Sequence, residues 1–411
     1  MLKAAAILFC GTLGGVILNA AEVPSFYREI LPILAQRCQS CHRPGDVGPM
    51  PLVTYTEVRP WAAAIREAVR LRKMPPWFAD PAHGKFSNDP RLPDAEVALI
   101  DQWVSAGAPE GKRPKQVPGP PPKDSWQLSP DMVISMPRPF VIPAKAVIEY
   151  QHVVLPLTFT YDRWVRGVEI RPSDRTVVHH AVLYVRPPSS KWLRDPNGPK
   201  TTTDDILAVY VPGSGAQVFP EGMAKKIPAG SDLVLQLHYT SKPGTDATDQ
   251  TAIGLMISGD PPKKRILTLQ MGRDDLRIPP NEPAYRASVS GILPRDTILL
   301  SLLPHMHLRG AEFVFDAFAP GAPGQARTLL QVRPYNFFWQ FNYVLDKPVV
   351  LPRGTVLKWT GTFDNSKNNP KNPDPAAEVI WGEQSWQEMM IGFFDVAVEP
   401  GMEKKDFFSR P

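Results

Sequence analysis

The stretch Val177-Val178-His179-His180-Ala181-Val182-Leu183-Tyr184-Val185 decides the fold of most of this chain. It is apolar, rich in β-branched residues and free of glycine and proline, as a buried strand is. Similar runs follow from Trp126 onward: Ala146 to Leu157, Val165 to Ile170, Leu233 to Tyr239, Ala252 to Ile257 and Ala287 to Ile292. Thr297 to His307, Glu312 to Ala317, Val356 to Phe363 and Met390 to Val398 continue the series. Gly/Pro turns separate them with almost no credible helix between, which predicts antiparallel sandwiches rather than a parallel sheet. The chain's 48 prolines suit short strands joined by rigid turns. The β region is long for one sandwich. Two β domains are therefore expected, 126–262 and 263–411, dividing near Gly259 to Lys264.

The two imidazoles in the opening stretch have company. Five of the eight histidines lie in three strand contexts: Val178-His179-His180-Ala181, Leu235-Gln236-Leu237-His238-Tyr239 and Pro304-His305-Met306-His307-Leu308. In the last, alternate residues of a strand share a face, so His305 and His307 can grip one ion. Adjacent residues point oppositely, so His179 and His180 reach one metal only through a twist or bulge, or through different ring nitrogens. His238, on another strand, can complete a three-imidazole site. Imidazole-rich groups without a carboxylate shell point to a transition metal, copper above all, and leave zinc open.

Upstream, Cys38-Gln39-Ser40-Cys41-His42 is the attachment signature of a covalent c-type haem. Two thioethers would fix the porphyrin and His42 would take an axial position on iron. Residues 22–110 read as a small helical unit of the cytochrome c kind. Phe26, Ile30, Ile33 and Leu34 precede the motif at helical spacing, a second helix covers Pro60 to Leu71 with Ile65, Val69 and Leu71 inward, and a third covers Asp94 to Ala106. Met74, in Arg72-Lys73-Met74-Pro75-Pro76-Trp77, is the expected second axial ligand, with Trp77 packing on the ring and His83 as the rival ligand. Residues 111–125 read as a proline-rich linker. Residues 1–21 read as an export signal, with Lys3 at its start and an apolar run from Ala4 to Leu18, which predicts a periplasmic or secreted protein. A net charge of +5 without basic runs interleaved with aromatics gives nucleic-acid binding no support.

From about residue 130 to 400 the chain resembles the type II copper-dependent monooxygenases, the family of the peptidylglycine alpha-hydroxylating and dopamine beta-monooxygenases. The resemblance rests on the His-His pair, the Leu-Gln-Leu-His238-Tyr segment, His305-Met306-His307, and Gln387-Glu388-Met389-Met390. It implies two jelly-roll-like β domains and two copper ions. His179, His180 and His238 would hold the electron-transfer copper, and His305, His307 and Met389 the catalytic, oxygen-activating one, with Met390 as the alternative thioether. Tyr150 would stand near the first copper. The expected activity is an exported haem- and copper-dependent monooxygenase that inserts one oxygen atom from O2 into a C–H bond of a small organic molecule. Electrons would come through the haem from an external donor, either a redox protein or a small reductant. A non-enzymatic haem/copper electron-transfer protein and a copper-binding protein are the alternatives.

The departures from the family matter as well. Both β domains lack cysteine, and His152 stands where the resemblance implies one. Leu303 replaces the arginine and Phe393 the tyrosine by which the family's peptide hydroxylases grip a substrate carboxylate. A peptidylglycine substrate is therefore not expected. Arg309 stays near enough to leave the polarity of the pocket open. Asp364 to Pro370 reads as a polar turn, and Glu383 and Gln384 are candidates to support the second metal.

Overall fold

The computed structural model describes residues 22–117, 119, 125–145, 147–197, 204–322 and 324–407. The expected export signal, 1–21, and residues 118 and 120–124 of the expected linker lie outside them. The fold is mostly β sandwich, jelly-roll-like, with a small helical unit at its N-terminal end.

In the helical unit a π-helical turn, Phe26–Ile30, runs into α1, Leu31–Arg37. Two short helices, the first opened by a capping box between Thr54 and Glu57, lead to α2, Ala62–Arg70, and the unit closes with α3, Asp94–Ser105. Phe26, Ile30, Leu34, Ile65, Val69, Ile100 and Trp103 form its core. Leu71 does not join them and is 52% exposed. The α2 helix ends one residue before it, and Arg72 adopts a left-handed backbone (φ 53°) that turns the chain outward. Asp94 and Glu96 sit at the positive N-terminal end of α3, and Gly107 stops the helix with φ 86°.

The first β unit contains β1 (Met132–Ser135), β2 (Gln151–Pro156), β3 (Arg163–Arg171), β4 (Val178–Arg186), β5 (Asp205–Tyr210), β6 (Met223–Ile227), β7 (Asp232–Tyr239) and β8 (Ala252–Ser258). The second contains β9 (Lys264–Gly272), β10 (Tyr285–Ile292), β11 (Thr297–His305), β12 (Gly310–Phe318), β13 (Ala326–Val332), β14 (Tyr343–Leu351), β15 (Val356–Phe363) and β16 (Ile391–Val398). β8 ends at Ser258 and β9 begins at Lys264. Each unit has its own four-stranded sheet, β2-β7-β4-β5 and β10-β15-β12-β13. Both pack against one continuous sheet, β1-β8-β3-β6-β9-β16-β11-β14. The join is a short parallel pairing of Met223 and Ala224 with Lys264 and Arg265. Buried Lys225 stitches the seam, donating to the Ile206 carbonyl, Thr268 Oγ1 and Asp395 Oδ1 at 2.8, 2.9 and 3.2 Å.

The helical unit does not hang from a tether. Between α2 and α3, residues 77–89 leave it and lie along the second β unit. Ala79 bridges Val332 of β13 and Phe86 bridges Leu345 of β14. Trp77 therefore packs against Phe341 and Tyr343, ring centroids 5.6 and 4.7 Å apart, and not within the helical unit as the sequence reading expects. Its large apolar area is buried better in that aromatic cluster than among the short side chains around α2. Among the described residues no helix is long and apolar enough to cross a membrane.

Candidate metal centre

Strands β4 and β7 are neighbours, and His180 pairs directly with His238. A bulge between Val178 and His180 makes His179 the extra residue, which turns its side chain toward the face used by its neighbour. The three imidazoles each bring a ring nitrogen within 4.8 Å of the others. Nδ1 of His179 and Nδ1 of His180 are 2.9 Å apart, and Nδ1 of His238 is buried without a hydrogen-bond partner among the described residues. Burial, then the neighbouring imidazole, holds His179 down to about 3, and burial holds His238 at about 4. His180 is pushed down by the same causes. Neutral imidazoles crowded with lone pairs toward one point are ready to receive a cation. The Tyr150 ring stands 4.9 Å from His238 and 5.6 Å from His180, where the resemblance puts an aromatic.

His305 is the last residue of β11, and the strand ends there, so His307 lies in the following turn. The two rings are 5.2 Å apart and nearly perpendicular. Met306 between them points into the core, with its backbone clamped by the Tyr335 hydroxyl, which accepts from its N–H at 2.9 Å and donates to its carbonyl at 2.8 Å. Nδ1 of His305 donates to Gln340 Oε1 at 2.6 Å, and Nδ1 of His307 donates to the Gln387 carbonyl at 3.2 Å. Acceptor-only partners fix the tautomers and leave the lone pairs on Nε2. Burial and the neighbouring ring hold His307 down to about 3, and burial lowers His305.

Glu388 joins this turn to the methionine. Its buried carboxylate accepts from the His307 N–H at 2.9 Å and the Arg309 N–H at 2.6 Å. Met389 then lines the same cavity as His305 and His307, whereas Met390 is fully buried in the core. Of the two methionines, only Met389 is thus part of the cavity wall that His305 and His307 share.

The cavity, about 420 Å³, lies between the two β units, and His180, His305, His307 and Met389 all contribute to its wall. Leu303 and Phe393 line it beside them, as do Glu383 and Gln384. Arg309 is buried elsewhere, bonded through Nε to Asn365 Oδ1 at 2.8 Å and through a terminal nitrogen to the Trp386 carbonyl at 2.9 Å. Arg309 is thus not part of the wall, whose charged residues are Glu149, Arg273, Asp274 and Glu383, and the polar turn at 364–370 serves to hold Arg309. His152 lines the same cavity and is engaged by Gln236 Nε2 at 2.9 Å.

Sequence reasoning missed Phe337. Its ring centroid lies 5.3 Å from His179, 6.0 Å from His238 and 6.2 Å from His307, so one side chain touches both histidine groups. Gln340 and Glu388 were missed as supports. The aromatic run Tyr335 to Phe341 was the available signal, but nothing in its spacing says that it crosses between two sites.

In the helical unit, Cys38 and Cys41 are free thiols on the loop after α1. Burial pushes Cys38 up to about 12 and raises Cys41, the opposite of a reactive dithiol pair. Nδ1 of His42 donates to the Met50 carbonyl at 3.1 Å, which leaves its lone pair on Nε2. Met74 lies in the turn after α2 and is 41% exposed, so it is not a core side chain; Trp61 and Leu71, at the two ends of α2, are also exposed. His83 lies on the segment laid against the second β unit, in a turn closed by its N–H to the Asp80 carbonyl at 3.1 Å.

No family model matches the chain, and no curated protein matches it. Among solved structures it is similar to the major capsid protein P2 from bacteriophage PM2, at 9% identity over 65% of this chain and 98% of that one, with a TM-score of 0.29. It is also similar to PNGF-II, at 11% identity over 66% of each chain, with a TM-score of 0.31. Neither similarity bears on function.

Proposed function

We propose that the chain is an exported haem- and copper-dependent monooxygenase that inserts one oxygen atom from O2 into a C–H bond of a small organic molecule. The observation that carries this reading is one cavity whose wall takes His180 from the first donor group and His305, His307 and Met389 from the second, with Phe337 touching both groups. The donor chemistry fits copper. His179, His180 and His238 offer three neutral imidazoles and would hold one ion; His305, His307 and Met389 offer two imidazoles and a thioether, which favours the reduced metal, and would hold the other. Bound copper would supply one-electron chemistry toward O2 at the second group. Gln340, the Gln387 carbonyl and Glu388 keep that group in position. Leu303, Phe393 and Ile391 give the reacting end of the cavity an apolar wall, and Arg273 at the cavity is tied to Asp275 at 2.5 and 2.8 Å. That wall supports a substrate without a carboxylate at the site of attack.

The helical unit fits a c-type haem in the same sense. Cys38 and Cys41 would carry the thioethers, His42 presents Nε2, and the exposed Met74 would be the second axial ligand. Such a group supplies storage for single electrons. In this reading residues 22–110 are a cytochrome c domain, and the β units are the oxygenase.

Metal analysis and optical spectra of the mature protein test the proposal, with one haem and two coppers per chain expected. Reductant-dependent O2 uptake that becomes coupled to an oxygenated product on addition of a substrate completes the test. A fully metallated preparation with no redox-active copper overturns it. One that takes up copper and haem but couples no O2 consumption to any member of a broad substrate library is an electron carrier instead.

A further inference from the structure

The CxxCH loop is built onto the turn that leads into the His-His pair. Asp46, four residues after His42, has a side chain only 2% exposed and lies between two arginines. Arg43 Nε of its own loop is 3.0 Å away, and Arg175 of the first β unit is 3.4 Å away. On the same side, the Cys41 sulfur lies 2.8 Å from where a Cβ on Gly213 would stand. Gly213 follows β5, the strand paired with β4, and its φ of 81° keeps that turn tight. Arg175 precedes His179 by only four residues.

The platform under Arg175 is rigid. Fully buried Asp249 accepts from the N–H groups of Ser173 and Asp174 at 2.8 and 3.3 Å, and from the hydroxyl of Tyr239, the neighbour of His238, at 3.0 Å. Asp174 is held in turn by Lys242 at 3.0 Å. Beside this contact, Nε of Arg175 is buried with no hydrogen-bond partner among the described residues.

We propose that this contact is the internal electron entry of the β units. The CxxCH loop is docked on the 173–177 turn by Asp46 and Arg175, so electrons enter at His179, His180 and His238 before they reach His305, His307 and Met389. Arg175 is the positioning residue of that interface. The inference rests on the haem and copper reading above. With both groups bound, one electron would pass from ferrous haem, leaving it ferric, to cupric ion, leaving it cuprous; no bond would break, and an external one-electron donor would reduce the haem again. Docking replaces the freely tethered domain that a proline-rich linker suggests, and it holds an already intramolecular transfer in one geometry.

The test uses the full chain with haem and both coppers, without O2. A photogenerated flavin radical reduces the haem in a flash, and its reoxidation is followed optically. In the wild type the rate is expected to be first order and independent of protein concentration. Arg175→Glu places a carboxylate against Asp46 and should slow it by about tenfold or more, while Arg175→Lys keeps it within about threefold of wild type. Haem absorption and the copper paramagnetic resonance spectrum stay unchanged in both. Amide hydrogen exchange, read on the same proteins without copper, should show faster exchange of residues 41–48 in Arg175→Glu alone. A wild-type rate proportional to protein concentration overturns the proposal even if no variant folds, and so does a wild-type rate in Arg175→Glu. Absence of haem or copper from the wild type defeats the underlying reading, and the spectra reveal that before any kinetics are run.

Discussion

Phe337 stacks on His179, with ring centroids 5.3 Å apart and planes inclined by 27°. Its other contacts reach His238 and His307, so it packs the space between the two donor groups. Phe337→Ala should lower unfolding free energy by about 3–4 kcal/mol, and Phe337→Leu by about 1 kcal/mol, in urea titrations. A loss below about 0.5 kcal/mol for the alanine variant would mean that the space between the groups refills without cost.

The two groups should load independently. His238→Ala is expected to lower bound copper from two ions to one per chain and to leave the site of His305, His307 and Met389 filled. His305→Ala should do the reverse, and neither should change haem content. Quantitative metal analysis with paramagnetic resonance reads this directly; loss of both coppers in either variant contradicts two separate sites.

The metal-free protein should be acid-sensitive in a defined window. His179, His238 and His307 have folded-state values of about 3, 4 and 3, below the ordinary imidazole value of 6.5. The unfolded chain therefore binds more protons below pH 6.5, and stability falls as pH drops from there toward about 3. The stabilisation is fully present above pH 6.5. Urea midpoints of copper-free protein between pH 8 and pH 4 measure it, and a flat profile would mean that these rings take up protons in the folded state.

Glu388 is a keystone of the turn rather than a ligand. Burial raises it to about 8, against the backbone N–H groups of Arg309, His307 and Met389 and the Arg309 charge, which favour the carboxylate. Glu388→Ala leaves the buried N–H groups of His307 and Arg309 without acceptors and should cost about 2–4 kcal/mol. Glu388→Gln keeps one acceptor and should cost less. In both, copper should be lost first from the His305 group, seen as a weaker affinity there with the His238 group unchanged.

The strands were legible because a buried β stretch writes itself as an uninterrupted apolar run, as Val177 to Val185 does. The gap between β8 and β9 was legible for the same reason: the prolines and charges of residues 259–263 do not suit a buried strand. The histidine groups were legible as types, and the need for a bulge at His179 followed from the two-residue period of a strand. What stayed hidden was contact across the chain. Trp77 looked like part of the helical unit because its neighbours in sequence are, yet its partners Phe341 and Tyr343 lie more than two hundred residues away. Phe337 and Gln340 gave no periodic signal, since both sit in an irregular loop whose path is set by packing. Arg309 misled because closeness to His307 in sequence does not say which way a side chain turns.

The segment 77–89 has a consequence for solubility. β13 and β14 are the outermost strands of their respective sheets, and each would present a row of unsatisfied backbone groups. The Arg333 N–H donates to the Phe78 carbonyl at 3.0 Å and the Asp80 N–H to the Gln331 carbonyl at 2.8 Å. The Ser87 N–H reaches the Val344 carbonyl at 2.9 Å, and the Asp346 N–H reaches the Lys85 carbonyl at 2.8 Å. The helical unit thus supplies the cap that keeps both edges from pairing with another molecule. A fragment starting at residue 111 would carry both β units and no cap, and light scattering should find it self-associating where the full chain stays monodisperse.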